Sequence, residues 1–135
     1  MTIPPIDISR EDWRIIRDIL RKYVPEQEVW AFGSRAKRTA WTYSDLDLAI
    51  ITETALPFKV RGDMAEDFSE SDLPFRVDIL DWATTPEDFR RIVERDKVIV
   101  QHGIATASSP DVPQNASLRD ELGNVSQPDI RTDRR

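Results

Sequence analysis

Cysteine is absent from this chain, and histidine nearly so: His102 is the one imidazole among 135 residues. Without cysteine there are no disulfides, no zinc thiolates and no cysteine nucleophile. One imidazole does not build a histidine metal site. Long apolar runs are missing, and the N-terminus lacks a leader pattern, so neither a membrane span nor a signal peptide is expected. A cytoplasmic protein is the expectation. Positive charge is in deficit as well: 19 Lys and Arg stand against 25 Asp and Glu, a formal net charge of −6. That argues against a protein that works by gripping phosphate backbones, and no direct nucleic-acid binding is expected. A local basic pocket at Arg35, Lys37 and Arg38 stays open. Aromatic residues vanish after Gly103, where Pro110, Pro113 and Pro128 stand among Ser, Asn, Gln and Asp. Such a stretch has too little apolar surface to offset chain ordering. Residues 104–135 are therefore expected to be a disordered tail behind one domain of 1–103.

What is present is α/β patterning. Ser9 to Asp12 has the form of a capping box, and Trp13, Ile16, Leu20 and Tyr23 follow at helical spacing. Pro25 closes that helix. Residues 28–32 read as a strand running into Gly33, and 46–51 as a second, very apolar strand. Val60, Met64 and Phe68 recur every four residues, which predicts a helix over about 57–70 despite Gly62. A third strand is expected over 75–82. Thr85-Pro86-Glu87-Asp88 then reads as an N-cap, a first-turn proline and acidic first-turn residues opening another helix. Val98 to Val100 reads as a short last strand. The order predicts an α/β sandwich with a mixed sheet.

The chemistry concentrates in Gly33-Ser34 and in Asp45-Leu46-Asp47, with residues 35–44 between them. Glycine permits a sharp turn and a close ligand, and a short helix starting at Ser34 aims free N–H groups at phosphate oxygens. In a strand, residues i and i+2 share a face, so Asp45 and Asp47 project together while Leu46, Leu48 and Ile50 enter a core. Adjacent carboxylates repel one another and are costly to desolvate. A hard divalent cation removes both objections, and Mg²⁺ typically combines one or two carboxylates with substrate phosphates. Asp78, between Val77 and Ile79, supplies a third acid if its strand lies beside the second. Three carboxylates can hold two metal ions for an in-line displacement, and Asp78 can also accept the proton of an incoming hydroxyl. Asp81 is the rival, but strand periodicity turns it to the other face. Arg35 is the basic residue best placed to neutralise a triphosphate. Trp41 and Tyr43, between turn and acids, suit stacking on a base or on an acceptor protein, or local packing. His102 is assigned no role.

The run from Val29 to Ala36, the ten-residue spacer and Ser44-Asp45-Leu46-Asp47-Leu48 together resemble the minimal nucleotidyltransferases of the DNA polymerase beta-like superfamily. Asp78 matches that family's third aspartate. Arg38 departs from the pattern, since family members often have glycine there. The resemblance covers about residues 9–103. It implies a polymerase-like palm, an α/β (α+β) fold with a mixed sheet and helices packed mainly on one face. It implies Mg²⁺-dependent transfer of a nucleoside monophosphate from a triphosphate. Gly33 and Ser34, with Arg35, would hold the nucleotide, and Asp45, Asp47 and Asp78 would be both metal ligands and catalytic acids. Many such proteins are antitoxins partnered with a HEPN-domain ribonuclease toxin, and the resemblance implies ATP as donor and a toxin tyrosine as acceptor. A domain this small leaves little chain for an acceptor-gripping module, which favours a folded protein acceptor. Two other readings compete: a stoichiometric antitoxin that neutralises by covering its toxin, and a small-molecule transferase of the aminoglycoside-modifying kind.

Overall fold

A computed structural model describes residues 2–104. The segment expected to form a tail lies, from residue 105 on, outside the described residues. Helix α1 (Arg10–Tyr23) starts where Ser9 Oγ accepts the Asp12 N–H at 3.1 Å, one half of the capping box read in the sequence. It ends two residues before Pro25, with the Val24 N–H closing onto Leu20. Its stripe of Trp13, Ile16 and Leu20 is buried. Fully burying a side chain such as Ile16 or Leu20 stabilises by about 1.5–3 kcal/mol.

Strand β1 (Glu28–Phe32) leads into α2, a single turn over Gly33–Ala36. Strand β2 (Leu46–Ile51), helix α3 (Phe58–Ser69) and strand β3 (Val77–Asp81) form a crossover unit. A 3₁₀ turn at Trp82–Thr84 precedes helix α4 (Glu87–Asp96), and β4 (Val98–Gln101) closes the domain. The third strand is shorter than the 75–82 read from the sequence, because Trp82 already turns. The helix start also differs. Thr85 does not cap α4: its hydroxyl donates to the Asp81 carbonyl at 2.8 Å, and Pro86, extended at ψ 151°, occupies the cap position.

The sheet order is β3-β2-β1-β4, with β1 antiparallel to both β2 and β4, and β2 parallel to β3. Alternation divides the core. Leu46, Leu48 and Ile50 meet Ile16, Leu20, Met64 and Phe68 under α1 and α3. Trp30 and Ala49 face the other way and meet Val93 of α4, with Phe32, Leu80 and Trp82 around them. The larger core is thus on one face, and α4 covers part of the second.

Candidate active site

Strand pairing assembles the acids. Because β2 and β3 are parallel, they begin at the same end of the sheet, and their register sets Asp47 opposite Asp78. Asp45 lies one residue before β2 begins. The antiparallel pairing of β1 and β2 sets Phe32 opposite Asp47, which brings the next residue, Gly33, to the same end. Gly33 has φ 76°, a left-handed conformation that favours glycine, and an added Cβ would collide with Asp47 Oδ2 and lie 3.2 Å from Asp47 Cγ. The bend therefore rests directly on a carboxylate. At the start of α2 the first N–H groups have no partner within the helix, and Phe32 offers no side-chain cap.

Asp47 is electrostatically uncomfortable. Its carboxyl is pushed up to about 6, first by burial and then by the charges of Asp78 and Asp45. The one cation seated between acids here is Arg76. Its Nη2 lies 3.2 Å from Asp45 Oδ2 and 3.6 Å from Asp78 Oδ1. Those acids in turn hold the guanidinium more firmly protonated, the Asp45 hydrogen bond leading. As the side chains stand, no group of three or more His, Cys, Asp or Glu among the described residues has the spacing to hold a metal ion. The donor chemistry nevertheless fits a hard cation: three carboxylates share one end of the sheet, Asp47 is destabilised for want of positive charge, and Arg76 is exposed enough to withdraw.

Arg35 departs from the sequence expectation. It is only 5% exposed. Its guanidinium donates to the carbonyls of Ser44 at 2.9 Å, Asp7 at 2.7 Å, Thr42 at 2.9 Å and Trp41 at 3.4 Å, and lies 3.9 Å above the Phe75 ring. Donors committed in this way tie the 39–45 turn to the body and are not directed at a triphosphate. Proximity to Gly33-Ser34 in sequence did not indicate which way the side chain turns. Arg76 was missed as a site residue, although its i, i+2 relation to Asp78 placed both on one strand face. Arg38 has φ 64°, which explains why glycine suits this position. A non-glycine residue there carries a strain of about 1–2 kcal/mol, opposed here by the Arg38 Nε to Asp7 Oδ1 ion pair at 2.8 Å. Asp7 also accepts the Ala40 N–H, and that bond, with help from Arg38, holds its carboxyl below the usual range. Asp81 is turned away from Asp78, as periodicity required, and is buried.

Residues 15–103 match the family Polymerase beta, Nucleotidyltransferase, and the chain belongs to that family. It is thus a nucleotidyltransferase, of a family that generally uses a divalent metal. It is 53% identical over 105 residues to the probable protein adenylyltransferase MntA of Haemophilus influenzae, covering 78% of this chain and 92% of that one. In fold it is similar to a toxin–antitoxin crystal structure with AMP-PNP, at TM-score 0.58 and 23% identity over 70% of this chain and 76% of the other. It is also similar to the structure of a tri-AMPylated Shewanella oneidensis HEPN toxin in complex with an MNT antitoxin, at TM-score 0.52 and 22% identity over 68% and 70% of the two chains. No helix among the described residues is long and apolar enough to cross a membrane.

Proposed function

We propose that this chain is an Mg²⁺-dependent protein adenylyltransferase that moves AMP from ATP to a tyrosine hydroxyl of a cognate HEPN ribonuclease toxin, and so acts as an antitoxin. The observation that carries the reading is the parallel register setting Asp47 opposite Asp78, with Asp45 and the Gly33 bend at the same end of the sheet. The 53% identity to a probable protein adenylyltransferase supports the substrate class.

In this reading Asp45, Asp47 and Asp78 hold Mg²⁺, which when bound neutralises phosphate charge and acts as a Lewis acid. The N–H groups at Ser34 and Arg35 and the Ser34 hydroxyl receive the triphosphate, and the missing side chain at Gly33 keeps the approach open. Asp78 takes the proton from the acceptor hydroxyl as its oxygen bonds to the α-phosphorus. The bond from that phosphorus to the bridging oxygen breaks, and pyrophosphate leaves. Arg76, exposed and paired with Asp45 and Asp78, would give up those pairs where the acids hold a cation.

The test is intact-mass analysis of the HEPN protein encoded in the same genome after incubation with this chain, ATP and Mg²⁺. A gain of one or more AMP residues, abolished by Asp45→Asn or Asp47→Asn, is the expected result. Neutralisation of the toxin by both variants without any mass change would identify a stoichiometric antitoxin. Transfer to small hydroxyl compounds, with none to the protein, would identify the small-molecule alternative.

A further inference from the structure

The turn between α2 and β2 carries two of the most exposed aromatic side chains of the described residues, Trp41 at 83% and Tyr43 at 75%. Water is a poor environment for both rings, yet the backbone beneath them is held firmly. Arg35 grips the carbonyls of Trp41, Thr42 and Ser44. The Trp41 N–H donates to Ser44 Oγ at 2.8 Å, and the Ala40 N–H donates to Asp7. A loop fixed by a buried guanidinium while presenting two bare rings loses little freedom when it binds, and binding gains from such preorganisation.

We propose that the Trp41–Tyr43 turn is the anchor by which this enzyme grips a folded protein; the proposal rests on the protein-acceptor reading above and supplies its docking surface. Three observations favour a protein over a nucleotide base. Neither ring has an aromatic or cation partner among the described contacts that would form the second wall of a base slot. Trp and Tyr side chains bury roughly 150–250 Å² each, so the pair supplies about half of the ~800 Å² per partner in a standard interface. Finally, a recess of about 390 Å³ lined by Phe68, Leu73, Pro74, Phe75 and Val77 reaches Arg76 and Asp78. The recess thus reaches Asp78, while the aromatic turn lies just ahead of Asp45, so a protein seated on either lies next to a carboxylate. Tyr43 is two residues from Asp45, so a partner held there is held at the chemistry.

The experiment compares wild type, the Trp41→Ala, Tyr43→Ala double variant and the Trp41→Phe, Tyr43→Phe double variant. It measures affinity for the HEPN protein of the same genome by calorimetry, and binding of Mg²⁺ with a non-hydrolysable ATP analogue separately. Losses at interface anchors are about 30-fold each, so the alanine pair should weaken partner binding at least 100-fold while nucleotide binding stays within twofold. The phenylalanine pair should retain partner binding within about tenfold. Unchanged partner affinity in the alanine pair overturns the proposal. So does lost nucleotide binding, which would make the rings a base platform. A wild-type dimer that the alanine pair dissociates also overturns it, assigning the rings to a second copy of this chain. If wild type binds the toxin through these rings but never modifies it, the docking surface stands and the transfer reading fails. If wild type modifies it and the alanine pair does so equally well at sub-saturating toxin, transfer stands and the docking surface fails.

Discussion

Asp81 and Asp47 lie near opposite ends of the same parallel strand pair, and their surroundings could hardly differ more. Asp81 is 2% exposed and fully engaged. Its Oδ1 accepts the Thr52 hydroxyl at 2.5 Å and its Oδ2 the Leu56 N–H at 2.7 Å, while Thr52 Oγ1 also accepts the Ala83 N–H at 3.0 Å. These bonds pin the chain leaving β2 to the chain leaving β3. Asp47, at the other end, is half-buried beside two like charges, with the compensating cation, Arg76, placed on its neighbours. A carboxylate kept for structure is given donors by the fold. Carboxylates left short of donors suit the cation site proposed above, where their mutual repulsion would be relieved.

The contrast can be broken most decisively at Asp47. Asp47→Asn should lower nucleotidyl transfer about a thousandfold, since the charge stabilisation it helps hold is worth several kcal/mol, while the melting temperature stays equal or rises. Single-turnover transfer and thermal unfolding, measured on the same preparation, check both halves. The reverse signature is expected at Asp81. Asp81→Ala leaves Thr52 and the Leu56 N–H without their acceptor and should cost about 3 kcal/mol, or roughly 10–20 °C for a domain of this size. Transfer per folded molecule should persist at a temperature where the variant is still folded.

A pH titration sharpens the comparison further. A folded-state value of about 6 for Asp47 lies above its ordinary carboxylate value of 3.8. Between these, the folded protein binds the proton more tightly than the unfolded chain, so this group's contribution to stability falls as pH rises from about 4 to about 6, then levels off. Asp7, Asp67 and Asp96 are shifted downward and act with the opposite sign at lower pH. The difference in melting temperature between wild type and Asp47→Asn in EDTA isolates the Asp47 term; it should narrow on acidification, and saturating Mg²⁺ should remove it. The smallest effect is expected from Arg76→Gln. Exposed ion pairs are worth about 0.2–1 kcal/mol, so losing the resident cation should tighten apparent Mg²⁺ affinity about two- to fivefold, read from Mg²⁺-induced stabilisation. An unchanged affinity would mean that Arg76 and the cation do not compete.

Much of this architecture was legible because it is periodic. The α1 stripe, the apolar alternation of β2 and the opposite facing of Asp78 and Asp81 follow from repeat lengths alone. The third acid joins the other two only if β2 and β3 are adjacent, and they pair in parallel. What periodicity does not encode is the direction of a long side chain. Arg35 reads as outward from its neighbours in sequence, yet the carbonyls of the nearby 41–44 turn and of Asp7, a residue 28 positions away, draw it inward. Thr85 has a cap's position before Pro86, but the Asp81 carbonyl takes its hydroxyl. Arg76 escaped notice because its partner Asp45 is 31 residues away in sequence and becomes a neighbour only through strand pairing.

The in-step pairing of β2 and β3 also shapes how such a chain can diverge. Slipping β3 by one residue would bring Val77 or Ile79 to where Asp78 now projects and bury the aspartate. Residues gained or lost in the connections before α3 and after it leave that alignment untouched, whereas one residue gained or lost inside either strand erases the third acid without mutating it. Inherited length variation is therefore expected between residues 52 and 57 and between 70 and 75, with the strands themselves keeping constant length.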